Sequence, residues 1–107
     1  MATYTNVSYG VKNISTGGST VTTVASGTLA VASLVVSNTS TLPITCDVYI
    51  TRSAVNYYVV ETATVAVGGS LEVIQGNRLI LQASDALVVV ASASSSSDCW
   101  VSGLTVV

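Results

Sequence analysis

Five carboxylates, Asp47, Glu61, Glu72, Asp85 and Asp98, could in principle supply the acid and base of a glycoside hydrolase pair. Each falls at a strand exterior or a turn of the pattern set out below. There its expected task is to solvate an otherwise neutral surface, and so small a domain has little room for a substrate cleft. Histidine is absent, which removes His-based triads and the commonest metal ligand. Cys46 and Cys99 lie far apart in sequence and cannot by themselves complete a structural zinc site. They are expected as small apolar core residues; a disulfide would need neighbouring strands and an oxidising medium. Lys12 lies outside the strand pattern, so a desolvated catalytic lysine is not expected. Gly68-Gly69-Ser70 has no helix after it and no lysine beside it, and reads as a β-turn rather than a phosphate loop. The expectation is a chain without enzymatic activity, cofactor or metal.

Tyr49, Tyr57, Tyr58 and Trp100 are the large amphipathic side chains that could bind something. Together they could make a sugar-stacking platform or anchor a protein interface. The plainer reading puts Trp100 in the core or over its end and turns one tyrosine of the Tyr57-Tyr58 pair inward. For Tyr58 and Trp100, interface and core both stay open. The sugar platform comes after them, because few polar partners for hydroxyl groups accompany the rings in sequence.

Composition narrows the partners. Half of the residues are hydrophobic and 7% are charged, where globular domains carry about a quarter. Lys12, Arg52 and Arg78 are scattered and the formal net charge is −2, which argues against a nucleic-acid surface. No apolar run approaches the roughly 20 residues of a membrane-spanning helix. The start, Met1-Ala2-Thr3-Tyr4, lacks the basic and apolar stretches of a secretory signal, so synthesis in a reducing cytoplasm is expected. So few charges give a free monomer weak colloidal protection and suit a life docked in an assembly.

The elements that must position these residues are strands. Leu71 and Val73, Leu79 and Leu81, and Leu87, Val89 and Ala91 recur at spacing two, the period of a half-buried strand. Turn chemistry at Gly68-Gly69, Gly76-Asn77, Ser84-Asp85 and the serine run 94–97 separates them. Residues 19–25 read as a strand. Residues 29–38 contain the apolar run Leu34-Val35-Val36 and are predicted to be buried on both faces. Ile44, Cys46, Val48 and Ile50 point one way, with Thr45, Asp47, Tyr49 and Thr51 opposite. Residues 52–56 form a hairpin connection to a return strand at 57–61, and 62–67 lead into Gly68. Segments 71–74 and 78–82 flank Gly76-Asn77, and 87–93 and 98–106 close the chain. Residues 1–18 are an N-terminal arm or a first short strand at 7–11. The fold class expected over 19–107 is all-β, a single antiparallel β-sandwich or jelly-roll-like domain of about eight short strands.

In this order of segments the chain resembles small all-β virion proteins of tailed bacteriophages. The likeness covers residues 19–106. It is carried by the Thr-rich opening at 19–27, Ser37-Asn38-Thr39-Ser40, the strand at 44–50, Tyr57-Tyr58, Gly69-Ser70-Leu71, Leu79-Ile80-Leu81 followed by Ser84-Asp85, and the ending at 98–104. Many proteins of that kind carry Pro-Ala-Gly where this chain has Ala66-Val67-Gly68, and Ala-Gly-Asp where it has Ala83-Ser84-Asp85. The resemblance implies a non-enzymatic virion component made in the host cytoplasm. The first expectation is a capsid decoration (cement) protein, a homo-oligomer on the major capsid protein. A neck, tail or fibre component, contacting other virion structural proteins, is the alternative within the class. A carbohydrate-binding β-sandwich for host recognition is the alternative outside it.

Overall fold

The structure, a computed structural model, describes residues 2–74 and 78–107. Its described residues form nine strands: β1 (Tyr4–Val11), β2 (Ser19–Thr23), β3 (Thr28–Asn38), β4 (Ile44–Arg52), β5 (Val55–Val65), β6 (Ser70–Glu72), β7 (Leu79–Gln82), β8 (Ala86–Ala91) and β9 (Ser97–Val106). No helix among them is long and apolar enough to cross a membrane. Sheet A has the order β1-β9-β3-β6, with β7 also on β3, and sheet B the order β2-β8-β4-β5. Every pairing is antiparallel. The β6 and β7 strands lie end to end along β3, β6 against Val35 to Ser37 and β7 against Thr28 to Val31. They are two pieces of one interrupted edge strand. Counted so, the molecule is an eight-position β-sandwich with the chain order of a jelly roll, its strands wrapping between the sheets. The Gly76-Asn77 turn lies outside the described residues.

The core fills the space between the sheets. Leu29, Val31, Leu34 and Val36 of β3, Cys99 and Val101 of β9 and Leu81 of β7 meet Ile44, Cys46 and Val48 of β4, Val65 of β5 and Leu87, Val89 and Ala91 of β8. Each large aliphatic so buried contributes about 1.5–3 kcal/mol. Leu71, Val73, Leu79 and Ile50 pack against this core from partly buried positions.

The β3 strand corrects the reading of residues 29–38 as buried on both faces. Its burial alternates, and the register slips between Val31 and Ser33. That bulge carries the inward side from Leu29 and Val31 to Leu34 and Val36, so the extra apolar residues do not demand a second buried face. Burial of three successive residues falls instead on β8, at Leu87, Val88 and Val89. Val88 has Tyr49 beside it in register, and Gly18 lies against its outer side.

Buried polar groups tie the loops down. Asn38 donates from Nδ2 to the carbonyls of Leu42 (2.8 Å) and Val65 (3.2 Å), while its Oδ1 accepts from the Ser40 N–H and hydroxyl. This holds the loop that carries the chain from sheet A to sheet B.

Candidate binding faces

All five carboxylates lie at strand exteriors or turns, as expected, but Asp47, Glu72, Asp85 and Asp98 also accept specific hydrogen bonds beyond surface solvation. Asp85, 2% exposed, accepts from Arg52 Nε at 2.8 Å and Nη2 at 2.5 Å, and from the Gln82 N–H at 2.7 Å. The Arg52 hydrogen bonds hold its carboxyl below the usual range against the opposing effect of burial, and the Gln82 N–H helps. Its backbone carbonyl also accepts from Val24, so Asp85 joins the end of β2, the β7–β8 turn and the β4–β5 hairpin. Asp98 accepts from the Asn13 N–H at 2.9 Å and from Lys12 Nζ at 3.0 Å. These two contacts, the backbone one first, hold its carboxyl below the usual range. Asp47 Oδ1 accepts from the Thr62 N–H at 2.6 Å, where φ of +55° interrupts β5. Glu72 Oε1 accepts from the Leu34 N–H at 3.2 Å, while Glu61 is exposed on β5. Among the described residues, no group of three His, Cys, Asp or Glu could hold a metal ion.

Both cysteines are free and buried, Cys46 on sheet B and Cys99 on sheet A. Burial pushes the Cys46 thiol up and the Cys99 thiol up to about 12.

The four aromatic candidates are not brought together. Trp100 stands on the outer face of sheet A, alternating with the buried Cys99 and Val101. Tyr49 and Tyr58 are opposite each other in register on the outer face of sheet B, ring centroids 5.1 Å apart at 46°. Tyr57 is the register partner of Ile50, on the other face of β5 from Tyr58, and is exposed. A single platform of all four rings is therefore ruled out by topology, since the two sheets turn their outer faces away from each other. The placement of Trp100 in the core or over its end is also overturned: it is 57% exposed.

Trp100 nevertheless has a defined seat. Gly10 pairs with it across β1 and β9, and a Cβ on Gly10 would stand 2.7 Å from Cζ3 and 2.8 Å from Cε3 of the indole. Only glycine leaves room for the ring there, and the ring in turn covers an edge-strand glycine. Around it, Val11, Lys12, Val35, Ser37 and Asp98 line a cleft of about 320 Å³. Lys12, Val35 and Ser37 were not recognised in sequence as neighbours of Trp100. The available signal was Gly10 itself, a glycine inside a β-branched and aromatic strand, which marks a close approach.

Fold and faces together define a small jelly-roll domain with aromatic side chains on both outer surfaces. A scan against protein-family models finds no match for the chain, and a search of curated proteins finds none.

Proposed function

We propose that this chain is a non-enzymatic structural protein of a tailed-phage virion, and within that class a decoration protein that binds the outside of the assembled capsid as a homo-oligomer. The observation that carries the reading is β5. Among the described residues it is an 11-residue edge strand paired only to β4, and residues 55–60, Val-Asn-Tyr-Tyr-Val-Val, bear no charge. Val55, Tyr57 and Tyr58 on it are exposed. The uncharged aromatic stretch at 55–60, ahead of Glu61 and the positive-φ Thr62 that blunt the rest of the edge, offers backbone hydrogen bonds and apolar contact to a neighbouring subunit. The jelly-roll order supports the reading by analogy, since virion proteins recur on it. The resemblance in segment order from residue 19 to 106 supports it from the sequence side.

The test is made on purified particles. Decoration requires hundreds of copies per particle, whereas about a dozen or fewer would assign the chain to a neck or tail ring. The Tyr58→Ala variant should keep its Tm and lose particle binding by at least about tenfold, the scale of an aromatic hot spot. Unchanged binding by that variant would remove β5 from the contact.

A further inference from the structure

We propose that the outer face of sheet A around Trp100 binds a neutral oligosaccharide, with the indole as the stacking platform for one pyranose ring. The inference is independent of the virion reading and rests on how the side chains of this face are ranked. On one side Ser37 pairs with Asp98, which Lys12, just past β1, reaches at 3.0 Å. Along β1, β9 and β3 the register then places Gly10, Trp100 and Val35 in one row and Ser8, Ser102 and Ser33 in the next. Below these come Asn6, Leu104 and Ala30. One large flat ring thus stands among mostly small or polar residues, with Val35 and Leu104 the apolar exceptions, and the Gly10 seat holds it against β1.

A pyranose has an apolar C–H face and a rim of hydroxyls that both donate and accept. The indole meets the first requirement. Beside it, Lys12 keeps N–H donors beyond the one given to Asp98, and the Asp98 carboxylate and Ser37 hydroxyl offer acceptors. In the neighbouring rows Asn6, Ser8 and Ser102 line a second cavity of about 520 Å³. Both cavities fall within the ~300–1,000 Å³ range of small-ligand sites. Charge selects a neutral ligand. The face carries Lys12 and Arg78 against Asp98 and Glu72, which cancel formally, and Lys12 is already paired at 3.0 Å. An anionic polymer would meet Asp98, and a cationic one Lys12. Val11 and Val35 flank the ring, but the rows on either side of it carry Lys12, Asp98 and Ser37, and Ser8, Ser102 and Ser33, the hydroxyl partners a sugar requires; a protein partner alone is the outcome in which no hexasaccharide binds.

Trp100 is the only tryptophan of the chain, so its emission reports this face alone. Purified protein is titrated with cellohexaose, maltohexaose and N-acetylchitohexaose to millimolar concentration, with heparin as an anionic comparison. At least one neutral hexasaccharide should give a saturable change in Trp100 emission. By calorimetry, Trp100→Ala should weaken that sugar at least about tenfold, with Tm unchanged, and Trp100→Phe should fall between. The wild-type titration alone decides the matter should the alanine variant fail to fold. The proposal is overturned if no hexasaccharide binds, if only heparin binds, or if Trp100→Ala binds as well as the parent.

Discussion

Asp85 shows how far a single carboxylate's role depends on residues distant in sequence. A Ser-Asp turn reads as surface, and nothing local reveals that Arg52, 33 positions away, reaches over to close it. The pairing has a pH signature. A carboxyl whose folded pKa is depressed contributes stability that is fully present above its unfolded value, about 4, and is lost as pH falls through the lower folded value. Asp85 and Asp98 are both depressed, so the domain should lose stability in acid below about pH 4. Asp85→Asn should be less stable at neutral pH and should flatten that acid limb in denaturant titrations across pH. An acid limb equally steep in the variant would show that Asp85 does not carry it. At the same scale Ser97 is a liability: its hydroxyl is buried and finds no partner among the described residues. An unsatisfied buried hydroxyl costs about 1–3 kcal/mol, so Ser97→Ala should raise Tm slightly. A fall in Tm would mean that the hydroxyl has a partner.

At the scale of elements, alternation was legible wherever a strand is regular. The inward faces of β4 and β8, Cys46 and Val48 against Leu87 and Val89, follow the period of two seen in sequence. Reading failed where a strand is irregular, because a bulge changes parity without changing composition. This is the case at Val31 to Ser33 of β3. A β4–β5 hairpin was expected with residues 52–56 as its connection; the connection is the tighter pair Ser53-Ala54, and its strain was hidden. Ser53 and Ala54 both have positive φ, +53° and +63°, in a two-residue connection between Arg52 and Val55. That geometry favours Asn-Gly, and left-handed backbone costs a non-glycine residue about 1–2 kcal/mol. The double variant Ser53→Asn, Ala54→Gly should therefore stabilise the domain by about 1–2 kcal/mol in urea unfolding, with the m-value unchanged. A loss of stability would show that Ser53 or Ala54 makes a contact that repays its conformation.

For the whole molecule, the sheet partition decides what the aromatic residues can do, and it was not legible. Sequence spacing shows that Trp100 and Tyr58 lie on strands; only the wrapping order of the jelly roll sends them to opposite surfaces. The surface is also sparsely charged. The chain has three basic and five acidic residues, and among those described Arg52 with Asp85, and Lys12 with Asp98 at the surface, are already paired with each other. An oligomeric or capsid contact built on this surface must therefore rest on strand edges and apolar side chains. At about 1 M salt the Debye length is near 3 Å, which removes most exposed ion-pair attraction and leaves hydrophobic burial intact. Under the proposed virion role, attachment to a particle should thus survive sedimentation through molar sodium chloride and yield to urea. Release by salt alone would show that ion pairs carry the contact, and β5 would lose its place as the docking edge.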